Sequence, residues 1–383
     1  MKPLKIAVLA GPLIAVPPQK YGGTERIVYN LVEGLHKNGH DVTLFSTGDS
    51  KVNCKLQYLF KEELWKGGVM TKTQNELIHE RLNHYYHFFE MIRKEKFDIV
   101  HSHEGLIPLF FADMVKLPIP FLTTIHWSFQ GYAYDHSDLP ILYQFKKYPF
   151  ISLSLNQRKT GPELNFAANV YNGVSVSSEY TGYYSEADES YMAFVGRIDN
   201  EKGIFEAVQV AHLLKKKLIV AAKYDSNRMD QFEKFKSYVD NKYVVFLGEV
   251  GEQQKLEIIA KAKLLLMPVN YEDTCPLVPL ESLGCGTPTV TFAYGALPEQ
   301  ISDGQTGYVV NSSKDNIRGD WHFKTLGIDG LLEAVLAIYS MSQTEYLTMR
   351  NECRKQYEQK FSVDVMVKNY ENVYEQNLIN LKK

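Results

Sequence analysis

The stretch that decides the fold is LKIAVLA at residues 4–10, followed by YGGTE at 21–25 and DVTLF at 41–45. The first and last of these are apolar runs of the kind that form buried strands. Between them, apolar residues from Ile27 to Leu35 recur at helical spacing, and Gly39 is placed to end that helix. This order of strand, helix and strand predicts a parallel sheet with crossover helices.

The alternation of strands and helices divides the chain into two domains. It continues to residue 173 and restarts with a strand at Met192, and the last clear strand is predicted at 289–292. The polar segment 175–190 has no apolar periodicity and is predicted to be the interdomain connection.

We therefore predict an N-terminal domain at 1–173 and a C-terminal domain at 174–361, each a doubly wound α/β sheet. An amphipathic helix is predicted after Ser362. Ligands of such sheets bind at the carboxyl ends of the strands, so two facing domains would place a site in the cleft between them.

Composition excludes several classes of protein. A length of 383 residues predicts two or three domains, and 42 basic against 45 acidic residues leave a net charge of −3, without the chain-wide basic surface that would hold nucleic acid. The 4 cysteines form no CxxC motif, so neither a zinc site nor a disulfide framework is expected. No apolar run of about 20 residues is present, so no membrane-spanning helix is predicted. The expected compartment is the cytoplasm.

Two glycine-containing loops are candidate phosphate sites. Gly22 and Gly23 precede a predicted helix, whose free N–H groups and positive dipole end suit a phosphate. Gly196 and Arg197 follow a predicted strand, with Lys202 close behind, and two cations in one loop suit a diphosphate. The alternatives are a flexible turn for the first loop and solvated surface charges for the second.

An acidic loop and the helix after it form the third candidate. Asp273, next to Glu272, stands eight residues before Glu281. A carboxylate that accepts two neighbouring hydroxyls suits a ribose diol, and backbone N–H groups near the helix start could hold phosphate oxygens. The alternative for Glu281 is a buried acid that caps neighbouring backbone.

Histidines follow two predicted strands, at His101-Ser102-His103-Glu104 and at His126. HxH can be a metal pair, but no convincing further ligands are evident, so no metal site is predicted. A structural, hydrogen-bonded role is predicted for His101 or His126. No Walker A motif is present, and the absence of GxGxxG after the first strand disfavours an NAD enzyme.

The ordered set of these motifs resembles the retaining GT-B glycosyltransferases of family 4. The resemblance rests on Tyr21 to Arg26, Asp98 to His103, Phe194 to Gly203, and the acidic loop through Pro288. It implies two Rossmann-like domains facing across a cleft, with the C-terminal helix at 362–383 crossing back onto the first.

The resemblance also implies an activity: transfer of a sugar, with retention, from a nucleotide-diphospho-sugar to a hydroxyl on a glycan, lipid-linked or small-molecule acceptor. UDP- and GDP-sugars are the expected donors, and neither a metal nor a further cofactor is expected. Alternatives left open are a non-catalytic relative that binds a sugar nucleotide and a sugar-nucleotide epimerase or phosphorylase of the same fold. The oligomeric state is not predicted.

The site residues implied by the resemblance fall into two groups. The group expected to carry the reaction comprises His103 on the transferred sugar, Arg197 and Lys202 on the diphosphate, and Asp273 at the first acidic position. The group expected to bind the donor comprises Gly22, Gly23, Gly196, Gly248, Val250, Glu272, Cys275, Pro276, Leu277, Val278 and Glu281, with Glu281 on the ribose.

Two departures from the family pattern stand in the acidic loop. Aspartate replaces the usual glutamate at Asp273, and Cys275-Pro276 replaces a common Phe-Gly pair. Proline has no backbone N–H, so one donor to the sugar is missing there.

The acceptor is expected to contact loops of the first domain around 51–96, a segment with lysines and aromatic residues. Such a segment suits a polysaccharide, a lipid-linked sugar or the inner face of a membrane, and packing on the sheet is the preferred interpretation.

Overall fold

The computed structural model describes residues 2–19, 22–65, 73–129, 138–181, 191–225 and 228–380. The elements of the first part of the chain are β1 (Lys5–Leu9), α1 (Gly23–Lys37), β2 (Asp41–Ser46), β3 (Lys55–Tyr58), α2 (Gln74–Lys94), β4 (Ile99–Ser102), α3 (Leu106–Val115), β5 (Phe121–Thr124), α4 (Asp138–Leu142), β6 (Phe150–Ser152), α5 (Leu155–Thr160) and β7 (Phe166–Asn169). Those of the second part are β8 (Met192–Arg197), α6 (Ile204–Leu214), β9 (Leu218–Lys223), α7 (Met229–Lys236), β10 (Val244–Gly248), α8 (Glu252–Lys261), β11 (Leu264–Leu266), α9 (Leu277–Gly284), β12 (Thr289–Phe292), α10 (Leu297–Gln300), β13 (Gly307–Val310), α11 (Gly327–Ser340), α12 (Gln343–Lys360) and α13 (Val363–Asn380).

The chain divides into two compact units. The first contains Met1–Gly173 together with Val363–Lys383, and the second contains Val174–Ser362. Helix α13, at the end of the chain, therefore belongs to the first unit. The predicted connection at 175–190 lies outside the described residues from 182 onward.

The described part of the first unit holds a parallel sheet in the order β3-β2-β1-β4-β5-β6-β7. Its central strands, such as β1 and β4, are buried along nearly their whole length, as expected where helices cover both faces of a doubly wound sheet. Aromatic side chains such as Phe45, Tyr85 and Phe121 fill the core. Helix α13 comes close to α1, since a β-carbon at Gly34 would lie 2.4 Å from Cγ2 of Val367. The lack of a side chain at Gly34 permits this packing.

The described part of the second unit holds a parallel sheet in the order β10-β9-β8-β11-β12-β13. The strand order changes direction between β8 and β11, and ligands of such sheets bind outside the carboxyl ends at this switch point. Strand β8 ends at this edge with Arg197, and the loop that follows β11 begins at the same edge. In the first unit the corresponding change lies between β1 and β4.

The predicted α/β class and the first strand–helix–strand unit are confirmed, but several elements were not predicted, among them β3, α3, α7, β13 and α12. Strand β13 follows Thr289–Phe292, so the expectation that this was the last strand is wrong. Its four residues lie directly after a glycine-containing turn and show no alternation. Helix α12 has few apolar residues and a weak helical pattern, although Ser342 and Glu345 form a capping box at its start.

Candidate functional site

A short loop after β8 positions Lys202 in the second unit. Asp199 caps the single 3₁₀ turn Asn200–Lys202, and its Oδ1 accepts a hydrogen bond from Lys202 N at 2.8 Å. Gly203 then takes a φ of +76°, and a β-carbon there would lie 2.0 Å from the carbonyl oxygen of Pro268. Only glycine fits this position, and the close approach brings Lys202 beside the loop after β11.

Lys202, Tyr271 and Asp273 form one hydrogen-bonded cluster. The Nζ of Lys202 donates to Asp273 Oδ2 at 2.7 Å and to the Tyr271 hydroxyl at 2.6 Å. The Tyr271 hydroxyl donates to the same Asp273 oxygen. The side chains of Lys202 and Asp273 are only 14% and 13% exposed. The structure therefore brings together two predicted site residues, Lys202 and Asp273, and adds Tyr271, which no sequence pattern indicated.

The electrostatics of the cluster keep Lys202 cationic. Burial alone would lower the pKa of Lys202, but the charge of Asp273 and the bonds to Asp273 and Tyr271 raise it above its ordinary value. Burial and the charge of Asp273 raise the pKa of Tyr271, so its hydroxyl stays protonated. An ammonium group has three N–H donors, of which these two partners use two. One donor and a fixed positive charge can serve an anion.

Arg197 supplies the second cation at the end of β8. Its Nη2 lies 3.2 Å from Asp199 Oδ2 and 4.0 Å from Glu201 Oε2, and its side chain is partly exposed. A guanidinium has five N–H donors in a planar fork, a geometry that suits the oxygens of a phosphate. The same Asp199 thus orders both Lys202 and Arg197.

The two adjacent acids of the loop have different partners. Glu272 Oε1 pairs with Arg318 Nη1 at 2.5 Å, and Glu272 Oε2 accepts from Gly295 N at 3.0 Å. Asp273 instead contacts Lys202. Glu272 therefore braces the loop through Arg318 and Gly295, whereas Asp273 is the acid that contacts the Lys202 ammonium group.

Glu281 lies on α9 and is almost fully buried. Its side chain is 3% exposed, and Oε1 accepts from Lys255 Nζ at 2.7 Å. Oε2 is buried without a hydrogen-bond partner among the described residues. Lys255 was not identified from the sequence.

The start of α9 contains the remaining predicted residues of this loop. Pro276 is the N-cap, and Leu277 and Val278 are the first two helical residues, whose N–H groups have no intrahelical acceptor. Cys275 is buried, and Gln300 Nε2 contacts its Sγ at 3.2 Å and donates to Pro276 O at 3.1 Å. The loop is therefore anchored next to amides that can hold phosphate oxygens.

Gly196 and the segment from Gly248 to Val250, which is predicted to border the base, lie at the same edge of the second sheet. Gly196 precedes Arg197 in β8, and a β-carbon there would meet nothing closer than 3.7 Å. Gly248 ends β10 with a φ of +74°, a conformation that favours glycine, and Val250 follows in the loop before α8. The structure records no contact of Gly248 or Val250 with the Lys202 cluster.

The first unit holds Gly22 and Gly23 at the start of α1. Gly22 is the N-cap with a φ of +152°, and a β-carbon on it would lie 2.6 Å from Pro18 and 2.9 Å from Glu25 Oε2. Burial raises the pKa of Glu25 to about 7, and the nearby charges of Glu104 and Glu63 contribute. The loop thus requires glycine at Gly22 and has a carboxyl group beside it.

Three histidines cluster at the ends of β4 and β5. His103 Nδ1 lies 2.8 Å from His126 Nε2, and His101 contacts the Tyr374 and Thr124 hydroxyls at 2.7 and 2.8 Å. His101 is thus the hydrogen-bonded structural histidine that was expected. The ring nitrogen Nε2 of His103 is buried without a partner among the described residues.

Burial keeps these imidazoles neutral. It lowers the pKa of His101 to about 3 and that of His126 to about 4, and it lowers the pKa of His103 well below its usual range. A neutral imidazole at His103 can donate or accept one hydrogen bond through Nε2, depending on its tautomer.

Glu104, which follows His103 in the sequence, was not predicted to be a site residue. Glu104 Oε2 accepts from Arg81 Nη2 at 3.2 Å and from the buried Tyr85 hydroxyl. Its other oxygen would be 2.5 Å from a β-carbon at Gly11, so glycine makes room for it after β1.

Neither a metal cluster nor a membrane span is evident in the described chain. Among the residues that the structure describes, no group of three or more histidine, cysteine, aspartate or glutamate side chains could hold a metal ion. The 4 cysteines are buried, and none of them forms a disulfide. Within the same residues, no helix combines the length and apolar character needed to cross a bilayer.

Comparisons with known proteins agree with this architecture. The family described as "Glycosyltransferase Family 4" matches residues 21–176, and "Glycosyl transferases group 1" matches residues 183–318. An uncharacterized glycosyltransferase of Methanocaldococcus jannaschii is 24% identical over 397 positions, covering 94% of this chain and 95% of the relative.

Two solved structures share the fold. Sucrose-phosphate synthase from Thermosynechococcus elongatus superimposes with a TM-score of 0.76 at 18% identity, covering 98% of this chain and 100% of that one. An Anabaena protein crystallised with UDP-glucose superimposes with a TM-score of 0.70 at 12% identity, covering 97% of this chain and 100% of that one.

Two Rossmann-like, doubly wound units define the GT-B class of α/β enzymes, and the predicted fold class is confirmed. Within that class, the chain belongs to glycosyltransferase family 4, and it is a glycosyltransferase.

Proposed function

We propose that this glycosyltransferase moves a sugar from a nucleotide-diphospho-sugar to a hydroxyl acceptor, with retention at the anomeric carbon and without a metal ion. The observation that carries the proposal is the Lys202–Tyr271–Asp273 cluster at the switch point of the second sheet. It is a buried, permanently charged ammonium group at the edge where doubly wound sheets bind ligands.

The leaving group explains why such a cation matters. As the bond between the anomeric carbon and the phosphate oxygen breaks, negative charge develops on the diphosphate. Lys202 and Arg197 would stabilise that charge, together with the N–H groups of Leu277 and Val278 at the start of α9. The acceptor oxygen bonds to the same face of the sugar, and its proton passes to the departing phosphate oxygen. This route needs neither a dedicated base nor a metal.

The other predicted residues would bind parts of the donor. Glu281 would accept the ribose hydroxyls, and the segment from Gly248 to Val250 would border the base. Gly196, Cys275 and Pro276 would line the diphosphate and sugar subsites.

In the first unit, His103 would contact the transferred sugar through Nε2 or through its backbone carbonyl. Gly22 and Gly23 would admit the diphosphate close to the backbone. The acceptor would be a carbohydrate or a lipid-linked sugar.

The donor is proposed to be a UDP- or GDP-sugar. The Anabaena protein of the same fold was crystallised with UDP-glucose, which supports a nucleotide-sugar donor here. A cytoplasmic enzyme, with or without peripheral contact with the inner membrane face, would have access to such donors.

The experiment is a panel of UDP-, GDP- and ADP-sugars incubated with the enzyme and glycan acceptors in EDTA, with released nucleoside diphosphate measured by chromatography. We expect release from one donor class and, by proton NMR, a product that keeps the anomeric configuration of the donor. An inverted product, or release that requires a divalent metal, would contradict the mechanism. Binding of a donor without any release would indicate a binding protein instead.

A further inference from the structure

The pair formed by Glu281 and Lys255 is the most buried ion pair of the second unit's candidate site. The two side chains are 3% and 15% exposed, with Lys255 Nζ 2.7 Å from Glu281 Oε1. Lys255 Nζ also lies 3.0 Å from Glu252 Oε2, on the exposed side of the helix. Lys255 therefore joins a surface acid to a buried one.

The position of Lys255 in the fold links two parts of the candidate donor site. Helix α8 is capped by Gly251, directly after the segment from Gly248 to Val250, and Lys255 lies in its first turns. Glu281 lies on α9, which packs against α8. A single side chain thus spans from the helix that follows the base-contacting segment to the carboxylate proposed to bind the ribose.

The second oxygen of Glu281 indicates that a ligand completes this arrangement. Oε2 is buried and has no hydrogen-bond partner among the described residues, whereas buried polar atoms are nearly always hydrogen-bonded. When one carboxylate oxygen is held by an ammonium group and the other has no donor, the second oxygen can accept hydroxyls of a vicinal diol.

We propose that Lys255 is a positioning residue for the ribose subsite: it fixes the Glu281 carboxylate so that Oε2 accepts a ribose hydroxyl of the nucleotide donor. This inference rests on the proposed function, because it specifies how that donor's ribose is held. Without Lys255, a buried carboxylate loses its only cationic partner recorded in the described chain and with it the bond that sets its orientation.

The test measures how much nucleotide affinity depends on the ribose hydroxyls. UDP, GDP and ADP are titrated by calorimetry into the wild-type enzyme, followed by the 2′,3′-dideoxy form of the nucleotide that binds. The same titrations are made with Lys255→Met and Lys255→Arg. Lys261→Met is the matched control, because it removes an exposed lysine from the other end of α8. Melting curves establish that each variant is folded.

We expect removal of the hydroxyls to weaken binding to the wild type and to Lys261→Met by at least about tenfold, as the loss of a hydrogen bond to a charged group does. In Lys255→Met this factor should fall below about threefold, with the dideoxy nucleotide bound as tightly as by the wild type. Lys255→Arg should restore most of the hydroxyl dependence, since it keeps a cationic donor.

One result would overturn the inference alone: a folded Lys255→Met variant with the same hydroxyl dependence as the wild type, whether the two nucleotide forms bind as before or lose affinity equally. A wild-type enzyme that binds none of the three nucleotides would instead overturn the proposed function, and the inference with it. A Lys255→Met variant that does not fold is replaced by Lys255→Gln, to which the same criteria apply.

Discussion

Asp273 and Glu272 show how much depends on single side chains. They are chemically similar neighbours, yet one contacts the buried Lys202 at 2.7 Å and the other contacts Arg318 at 2.5 Å. The sequence pattern could not separate them, because both acids follow the same strand and differ in position by one residue. Their partners come from segments far away in the sequence and are set by the packing of the loop.

This difference predicts different effects for two variants in which a carboxylate is replaced by an uncharged amide. Asp273→Asn should lower kcat/KM for transfer by about 10²-fold, because it leaves the Lys202 ammonium without its counter-charge and alters the group facing the leaving diphosphate. Glu272→Gln, the matched control, should change kcat/KM less than about threefold and lower the free energy of unfolding by about 1 kcal/mol through its weakened bond to Arg318. Steady-state kinetics and denaturant titrations measure both. Equal activity losses would contradict the separation of roles.

At the scale of elements, the turn after β8 depends on Gly203. Its φ of +76° and the 2.0 Å approach to Pro268 O leave no room for a β-carbon. Gly203→Ala should therefore lower the free energy of unfolding by about 2 kcal/mol or more, from backbone strain and displacement of the strand end. Gly196→Ala should change it by less than about 1 kcal/mol, because a β-carbon there meets nothing within 3.7 Å. Chemical denaturation compares the two. A Gly203→Ala protein as stable as the wild type would mean that the turn is not strained.

The strand ends that carry His101, His103 and His126 predict a pH dependence of stability. Burial lowers the pKa of each in the folded state, to about 3 for His101 and about 4 for His126. Below the unfolded value of about 6.5, the unfolded chain therefore binds more protons than the folded one. The free energy of unfolding should fall as the pH is lowered through this range, by up to about 1.4 kcal/mol per pH unit for each histidine.

Glu25 opposes this trend, because its folded pKa of about 7 lies above the unfolded value, so its carboxyl group takes up a proton in the folded state first. Three histidines outweigh one carboxyl group. Denaturant titrations at pH 5.0 to 6.5 should give a positive slope, and His101→Asn should reduce that slope by about a third of the histidine contribution. A wild-type slope of zero or below would show that the imidazoles are not held neutral.

At the scale of the whole molecule, the order of the main strands and helices could be predicted because most buried strands are compact apolar runs, several of them bounded by glycine or proline. Short segments could not be predicted in this way. Strand β13 has only four residues beside a turn, and its position is set by pairing with β12. The candidate residues with chemical signatures, such as Arg197 and Lys202, were found from their positions after a strand. Tyr271 and Lys255 were not, since their roles arise from contacts with residues on other elements.

In the proposed function, Lys202 holds the diphosphate of a nucleotide donor. The most direct measurement is calorimetric titration of UDP, GDP and ADP, in EDTA, into the wild-type enzyme, Lys202→Met and the surface control Lys261→Met. We expect at least one nucleotide to bind the wild type and the control equally, and Lys202→Met to bind it about 10- to 100-fold more weakly, the loss expected for a charged hydrogen-bond donor. A folded Lys202→Met protein that binds as tightly as the wild type, or a wild type that binds none of them, would contradict it.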